Sequence, residues 1–404
     1  MMVPKLRFKE VSINKWETFS LGEIANFRRG SFPQPYGLPE WFDDNGYPFV
    51  QVFDVSDNMR LKDRTKSKIS QLAANQSIFA PKGTLIMTIQ GSIGRLALMQ
   101  YDAYVDRTLL IFQSYKKNIN IDFLKYSLFL LFDIEKKKAD GGVIRTITKQ
   151  TLTDFRISIP SNEEQTKIAD FLSSIDEKIT LLNKQYDLLC RYKKGMMQKI
   201  FSQDLRFKND SGYEYPEWEE VELKKIASKV NTKNRDNSVS TVLTNSATQG
   251  IVSQESYFER EIVTESNLTG YYVVRIGDFV YNPRISSTAP VGPIKMNELT
   301  QGVMSPLYTV FRFEKGLLKF YQYFFESSVW HDYMKSVANS GARHDRMNIS
   351  GADFFGLPVP QPLEEEQTKI ARFLSAIDDK ITIKKAELDK LKTWKQGLLQ
   401  QMFI

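Results

Sequence analysis

Residues whose types could perform catalysis are scarce in this sequence. The 404 residues include one cysteine, Cys190, and two histidines, His331 and His344. No group of histidine, cysteine and acidic residues has the spacing of metal ligands. The sequence contains neither a G-x-x-x-x-G-K-S/T phosphate loop nor a G-x-G-x-x-G dinucleotide motif. The pattern therefore does not favour an enzyme or a metal-binding protein.

Composition narrows the class of protein further. The net charge of +7 is compatible with a polyanionic partner but also occurs in proteins that bind no nucleic acid. No apolar stretch approaches the ~20 residues needed to cross a bilayer. The first residues lack the apolar core of a secretory signal, and a single cysteine excludes a disulfide framework. We therefore expect a cytoplasmic protein with no membrane contact.

The chain contains a long internal duplication. The hexapeptide EQTKIA begins at Glu164 and again at Glu366. About half of the residues in 163–201 are identical to their partners in 365–403. Between the duplicated segments the two halves diverge almost completely. This arrangement predicts two similar halves related by an approximate internal two-fold axis.

The duplicated segments predict two long helices with a coiled-coil seam, because their apolar residues recur at alternating spacings of four and three. The seam residues are Ile168, Leu172, Ile175, Ile179, Leu182 and Leu189 in the first helix, and Ile370, Leu374, Ile377, Ile381, Leu388 and Leu391 in the second. Lys193, Lys384 and Lys395 interrupt the seam, and polar seam residues often fix helix register. Each helix of ~39 residues would be ~58 Å long. We expect the two copies to pack antiparallel, the alternative being separate packing on two domains.

The segments outside the helices predict mixed α/β domains. Short apolar runs give candidate strands at 49–52, 84–88, 108–112, 271–274, 278–281 and 307–311. Each block then has one apolar helix, at about 121–137 and about 317–337. We divide the chain into domains at 1–158 and 205–358 and spacer helices at 159–204 and 359–404. The predicted fold class is duplicated α/β (α+β) domains separated by two long helices, which form an intramolecular antiparallel coiled coil with pseudo-two-fold symmetry.

Taken in order, these features resemble the specificity subunits of type I restriction–modification enzymes. The resemblance spans essentially the whole chain, and its motifs are specific because they occur twice in the same order. They are the Glu-Gln-x-Lys-Ile-Ala helix openings at Glu164 and Glu366, the Phe-x-x-x-Ile/Val-Pro approaches ending at Pro160 and Pro360, the Trp-Glu-x-x-x-Leu-x-x-Ile-Ala openings at Trp16 and Trp218, and the Gly-Thr/Asp-hydrophobic runs at Gly83 and Gly277.

The resemblance implies that each variable domain is a target-recognition domain that reads one half of a split, asymmetric sequence in double-stranded DNA. Half-sites on one DNA face lie about one helical turn apart, ~34 Å, and the long helices would act as the spacer. Those helices would also dock two modification subunits, which supply S-adenosylmethionine and methyl transfer. Restriction subunits would join and cleave DNA with ATP and Mg. The chain itself would bind no cofactor and catalyse no reaction.

Two alternatives stay open at this point. One is an enzyme that fuses DNA methyl transfer with recognition, which needs a nucleotide-binding α/β core that neither variable block displays. The other is a coiled-coil scaffold without DNA contact. Binding of S-adenosylmethionine and binding of DNA distinguish these two from a specificity subunit.

Candidate DNA-binding residues are polar side chains on loops, where they can reach base edges or phosphates. In the first domain they are Arg28, Arg29, Gln90, Ser92, Arg95 and Arg145, and in the second Asn282, Arg284, Ser286, Ser287, Arg343, His344 and Arg346. Phosphate contact is as much expected as base contact, since over half of protein–DNA hydrogen bonds go to the backbone. For Arg28 and Arg29, a solvated charge or a salt bridge is an equally good interpretation.

Overall fold

The computed structural model describes residues 4–11, 15–138, 147, 149–257, 265–339 and 345–403. The chain divides into two compact units, which we call unit 1 (Met1–Lys184 with Ala386–Ile404) and unit 2 (Gln185–Lys385). Each unit contains one of the two diverged segments (1–158 in unit 1, 205–358 in unit 2), the start of the long helix that follows it and the end of the other long helix.

Unit 1 is built on two four-stranded sheets and a helical layer. Its strands are β1 (Glu17–Ser20), β2 (Ala25–Arg29), β3 (Phe42–Val50), β4 (Ser67–Ile69), β5 (Ile78–Ala80), β6 (Leu85–Thr88), β7 (Leu96–Leu98), β8 (Ala103–Val105), β9 (Leu109–Tyr115) and β10 (Arg156–Ile159). Its helices are α1 (Leu21–Ile24), α2 (Gln71–Ala74), α3 (Ile121–Lys138), α4 (Lys149–Thr153) and the start of α5 (Asn162–Phe201). One sheet has the order β2-β9-β6-β7 and is antiparallel, the other has the order β4-β3-β8-β5, and β1 pairs with β10.

Unit 2 repeats part of this plan. Its strands are β11 (Glu219–Glu222), β12 (Ala227–Lys229), β13 (Leu243–Ser246), β14 (Gly250–Ser253), β15 (Tyr272–Val274), β16 (Phe279–Tyr281), β17 (Ile294–Met296), β18 (Gly302–Met304), β19 (Thr309–Phe313) and β20 (Pro358–Gln361). Its helices are α6 (Gln254–Tyr257), α7 (Leu318–Glu326), α8 (His331–Ser336), α9 (Gly351–Phe355) and the start of α10 (Glu364–Phe403). The sheet β12-β19-β16-β17 matches β2-β9-β6-β7 in order and direction, and the pair β11–β20 matches β1–β10.

The two units therefore share a structural framework although their sequences in this region have diverged. In unit 1 the antiparallel sheet buries aliphatic side chains such as Leu85 and Met87, whereas in unit 2 it buries Phe279, Phe311 and Phe313. All six candidate strands overlap observed strands, and the predicted fold class is confirmed. The variation lies in the additions to this sheet: a second four-stranded sheet in unit 1, and the pairs β13–β14 and β15–β18 in unit 2.

The predicted helix at 317–337 is wrong in one respect, because the structure divides it into α7 and α8. Ser327, which follows α7, has an extended backbone with ψ of 177°. The indole nitrogen of Trp330 donates to the carbonyls of Phe325 and Ser327 at 3.3 and 3.0 Å. These bonds occupy carbonyls that would accept from backbone amides if the helix were continuous. Helix α3 forms as one piece.

In unit 1 the start of α5 and the end of α10 run antiparallel. Two neighbouring residues of the N-terminal segment contact both helices. The Leu6 amide donates to the Gln401 carbonyl of α10 at 2.9 Å. Arg7 binds the Glu164 carboxylate of α5 through Nε at 2.8 Å and Nη2 at 2.7 Å. Further along α5, Asp176 accepts a bond from Lys395 Nζ at 2.5 Å. Residue numbers therefore increase along α5 in the direction in which they decrease along α10, so that the two segments are antiparallel, as the sequence predicted.

The same contacts recur in unit 2. The Leu205 amide donates to the Lys199 carbonyl at 3.0 Å, and Arg206 binds Glu366 through Nε at 3.1 Å and Nη2 at 2.8 Å. Lys193 Nζ lies 2.7 Å from Asp378. The start of α10 therefore runs antiparallel to the end of α5 in this unit as well.

Eleven of the twelve seam residues belong to the apolar cluster around the helices of their own unit, and Leu189 is the exception. Nine of the twelve are buried, and Leu189, Ile381 and Leu391 are half-buried. No described helix is long and apolar enough to cross a membrane.

Two of the three seam lysines, Lys395 (buried) and Lys193 (half-buried), have acidic and aromatic partners. In unit 1 burial lowers the pKa of Lys395, and the opposing attraction of Asp176 does not restore it. In unit 2 burial also acts to lower the pKa of Lys193, but Glu326 and Asp378 outweigh it, so that this pKa is raised. Among the described residues, the equivalent lysines thus have one carboxylate partner in unit 1 and two in unit 2.

Candidate nucleic-acid interface

In unit 1 the first candidates lie at one end of the antiparallel sheet. Strands β2 and β6 both pair with β9, Arg29 opposite Leu110 and Thr88 opposite Leu109. Since neighbouring strands lie ~4.8 Å apart, the carboxyl ends of β2 and β6 are about 10 Å apart. Arg28 and Arg29, both exposed, therefore share this end of the sheet with the loop that begins at Gln90.

The loop between β6 and β7 is held by its own backbone and by Thr88, which is fully buried. The Arg95 amide donates to Thr88 Oγ1 at 2.9 Å, and the Gly94 amide donates to the Thr88 carbonyl at 2.9 Å. Gly91 and Gly94 have φ of 67° and 83°, and a Cβ at Gly94 would lie 2.5 Å from the Phe132 ring. Only glycine fits such a conformation at low cost. The loop thus presents Gln90 and Ser92, both exposed, on a fixed turn.

In unit 2 two loops that are distant in sequence meet. The Ile285 amide donates to the Asp345 carbonyl at 3.0 Å, and the Met347 amide donates to the Pro283 carbonyl at 2.8 Å. Arg284 and Arg346 are consequently paired in an isolated antiparallel bridge. The candidates Asn282, Arg284, Ser286 and Arg346 line one cavity of about 270 Å³.

Asp345 supplies the negative charge of this cluster. Its Oδ2 lies 3.9 Å from Nε of Arg284 and 4.0 Å from Nε of Arg346. Asn282 is fixed from within the unit, since its Nδ2 donates to the Asn245 carbonyl at 3.1 Å and its Oδ1 accepts from the Arg284 amide at 3.0 Å. The site therefore offers two guanidinium groups and several hydroxyl and amide groups in a concave surface.

Asn245 is a residue that sequence reasoning missed. It lies in β13, 3% exposed, and its Nδ2 donates to the carbonyls of Val280 and Pro293 at 2.7 and 3.2 Å. It thereby joins β16 to the segment before β17, at the wall of the cavity. Asparagine is depleted in strands, and the polar sequence of β13, Leu-Thr-Asn-Ser, gave no signal that this residue would be buried.

The remaining candidates lie elsewhere or outside the described residues. Ser287 lines a separate cavity of about 560 Å³ with His331, whose pKa is lowered by burial and by the nearby Lys335. Arg145, Arg343 and His344 fall outside the part of the chain that the structure describes. Within the described part, no group of three or more histidine, cysteine or acidic residues could hold a metal ion.

A model of one protein family matches the chain twice. The family is described as "Type I restriction modification DNA specificity domain", and the matches cover residues 13–190 and 215–393. Each match begins near a Trp-Glu opening and ends within a long helix.

Two curated relatives are described as specificity subunits of type I restriction enzymes. The chain is 25% identical over 401 residues to "Type I restriction enzyme MjaVIII specificity subunit" of Methanocaldococcus jannaschii, covering 95% of the chain and 91% of the relative. It is 26% identical over 423 residues to "Putative type I restriction enzyme MjaX specificity subunit" of the same organism, covering 97% and 94%.

Solved structures agree with the fold. The S subunit of a type I restriction–modification system from M. genitalium matches with a TM-score of 0.58 at 16% identity, covering 100% of this chain and 99% of that one. A second chain, from work on "complex assembly" and "conformational transition of the type I R-M system", gives 0.56 at 15% identity, with coverage of 96% and 97%. At such identities the likeness concerns the fold alone.

Proposed function

The chain belongs to the type I restriction–modification DNA specificity family, and from this premise we propose that it reads a bipartite DNA sequence, one half-site with each unit. The observation that carries the proposal is the repeated sheet, which in each unit ends in loops rich in arginine and amide side chains. Arginine bound to guanine and asparagine or glutamine bound to adenine are the usual direct contacts in the major groove.

An asymmetric target follows from the way the two units differ. The loop after β6 presents Gln90, Ser92 and Arg95, whereas the loop after β16 presents Asn282, Arg284 and Ser286 next to Arg346. Different donor and acceptor groups on equivalent loops recognise different bases. The two half-sites are therefore expected to be unlike.

We assign to α5 and α10 the roles of spacer and docking surface for two modification subunits. In unit 2 exposed Leu188 and Tyr192 lie four residues apart on one face of α5, and Ile383 is exposed on α10. In unit 1 Leu181 and Trp394 are exposed on the same helices. Exposed apolar side chains grouped on one helix face support a protein contact.

In the complex, the modification subunits would bind S-adenosylmethionine and transfer the methyl group. Restriction subunits would use ATP and Mg to cleave DNA. The present chain would bind double-stranded DNA and its partners, and perform no chemistry of its own. This division of labour agrees with the scarcity of catalytic residue types in the sequence.

A methylation map tests the proposal. Genomic DNA from cells that contain this chain and its modification subunits should carry methylation at one asymmetric, interrupted sequence, which is lost when the chain is deleted. Binding of that sequence by the purified complex should exceed binding of a scrambled duplex by ~10³-fold or more. Tight binding of S-adenosylmethionine by the isolated chain would favour a fused methyltransferase. Absence of DNA binding by the full complex would favour a scaffold.

A further inference from the structure

We propose that unit 1 recognises a guanine through Arg95, and that Asp57 is the positioning residue that orients the Arg95 guanidinium for this contact. The inference rests on the proposed DNA-reading function and adds to it a base identity and a residue outside the candidate loops. Four observations in unit 1, and a related one in unit 2, carry it.

The first observation is how the guanidinium of Arg95 is held, by one ion pair and one hydrogen bond. Its Nε lies 2.8 Å from Asp57 Oδ1, and its Nη1 donates to the Val55 carbonyl at 3.4 Å, a long bond. A guanidinium has five N–H donors in a fixed planar fork. The Asp57 contact is an ion pair at the Nε side rather than a hydrogen bond, and one donor on Nη1 and both donors on Nη2 have no hydrogen-bond partner among the described residues. The Nη1 and Nη2 donors that point away from the side-chain stem form a parallel pair.

A parallel pair of donors selects among bases. The major-groove edge of guanine offers two adjacent acceptors, N7 and O6, whereas adenine offers one acceptor beside an amino donor. Cytosine offers an amino donor, and thymine a single acceptor beside a methyl group. Only guanine matches two donors at once, so the free edge of Arg95 is complementary to guanine.

The second observation is that the root of the Arg95 side chain is fixed. Its amide donates to Oγ1 of Thr88, which is fully buried, at 2.9 Å. The preceding Gly94 has positive φ and packs against the Phe132 ring. The backbone at Arg95 is thus set by the core rather than by solvent, and its side chain is only 33% exposed.

The third observation is that the loop carrying Asp57 is fixed too. Val55 and Leu61 form an isolated antiparallel bridge, and the Ser56 amide donates to the Arg60 carbonyl at 2.9 Å. Met59, at the tip, is only 3% exposed and belongs to the apolar cluster around the long helices. A buried side chain therefore holds the turn that places Asp57 beside Arg95.

The fourth observation concerns energy. The Asp57 side chain is 84% exposed, and an exposed ion pair contributes only ~0–1 kcal/mol to stability. Stability therefore does not explain why two separately fixed segments bring these charges together. Orientation of a guanidinium does explain it, because the carboxylate attracts the Nε side of the fork and leaves both donors of Nη2 free.

Unit 2 contains a related arrangement that arose in a diverged sequence. There Asp345 lies within 4.0 Å of the two candidate arginines, Arg284 and Arg346. In both units a carboxylate thus faces candidate DNA-binding arginines. Such a carboxylate repels phosphate, so that it lowers affinity for non-specific DNA while it orients the contact to the base.

The experiment uses the chain in complex with its modification subunits and a panel of duplexes in which each base pair of the mapped target is replaced in turn. In Asp57→Asn and Asp57→Ala the preference for guanine at one position should fall about tenfold, while affinity for a scrambled duplex rises. Preferences in the other half-site should stay unchanged, which is an internal control for folding and assembly.

Two further variants separate orientation from charge. Asp133→Asn removes a carboxylate from the exposed ion pair with Lys137 in α3, where Nζ and Oδ2 lie 2.7 Å apart, and should leave every base preference as it is. Arg95→Lys keeps the positive charge but loses the fork. It should relax the preference at the same position as Asp57→Asn and leave the salt dependence of binding nearly unchanged.

Three results would overturn the inference. They are a half-site for unit 1 with no guanine on either strand, full base preference in both Asp57 variants, and an Arg95→Ala variant that binds all duplexes equally more weakly. If the wild-type complex itself shows no sequence preference, the proposed function fails instead. The two failures are therefore distinguishable in one data set.

Discussion

Replacing Arg206 by methionine should destabilise unit 2 strongly, because it leaves a buried carboxylate with too few partners. Glu366 is fully buried and accepts bonds from Arg206 Nε, Arg206 Nη2 and Trp218 Nε1 at 3.1, 2.8 and 2.8 Å. Removing one partner of a buried ion pair costs about 3–5 kcal/mol. The Trp218 bond persists, so that we expect the lower end of this range, about 3 kcal/mol.

Unit 1 provides the matched comparison. Glu164 is 1% exposed and is bound by Arg7, but Nε1 of Trp16, the equivalent of Trp218, has no hydrogen-bond partner within the described residues. Arg7→Met should therefore cost more than Arg206→Met, by about 1.5–3 kcal/mol, the worth of a hydrogen bond to a charged group.

Urea unfolding of the full chain, followed by tryptophan fluorescence and circular dichroism, measures these differences. Pairing each arginine variant with the isosteric change Glu366→Gln or Glu164→Gln should recover most of the loss, since a neutral amide is cheaper to bury than a carboxylate. A double variant no more stable than its single Arg→Met parent would refute the assignment of the loss to an uncompensated charge. Equal losses in the two units would refute the role given to Trp218.

Three other predictions concern the helices and the cavity of unit 2. Inserting one heptad into both α5 and α10 adds ~10.5 Å to each helix, which corresponds to ~3 base pairs of B-DNA at 3.4 Å each. A methylation map should show that the gap between the half-sites is longer by that amount. An unchanged gap would contradict the spacer role. Arg346→Ala should relax base preference at a single position of the half-site read by unit 2 if it contacts a base, whereas a uniform loss with a reduced salt slope would identify a phosphate contact. Because burial lowers the pKa of Lys395 below its ordinary 10.5, the unfolded chain binds more protons just below pH 10.5 and stability should rise with pH there; Lys395→Met should remove this rise in a comparison of urea midpoints, and an identical slope in the variant would contradict it.

The long helices were predictable because their apolar pattern is periodic, and the strands because each contains a short apolar run. The four-three spacing from Ile168 to Leu182 repeats one contact many times, so that a few exceptions do not hide it. Strand β6 was found from a continuous apolar run instead, and its four residues, Leu85–Thr88, are all buried. The division of the helix at 317–337 was not predictable from periodicity, because it depends on where the Trp330 indole finds carbonyl acceptors.

The site was harder to predict, because it depends on pairs of segments that no local pattern connects. Arg284 and Arg346 were both candidates, but their pairing follows from two backbone hydrogen bonds between loops. Asp57 was not a candidate, since an aspartate in a turn is ordinary. Its position beside Arg95 depends on Met59, which is buried in an apolar cluster whose other members are distant in sequence. Composition gives the types of residue available to a site, and only the tertiary contacts give the combinations.

The duplicated residues and the diverged ones have different tasks in this structure, and this explains the pattern of the sequence. Arg7 binds Glu164 as Arg206 binds Glu366, and the Gln165 side chain accepts from the Asn120 amide at 2.8 Å as the Gln367 side chain accepts from the Leu317 amide at 3.0 Å. These residues join the start of each unit and its domain helix to the opening of a long helix. A change in one partner of a buried charged pair is costly, so that both copies keep the pair. The loops after β6 and β16 carry no such buried charge pair with the long helices in the described residues, so that exchanging an arginine for an amide there would break no buried charge pair. Recognition can therefore change while the framework that presents it stays the same.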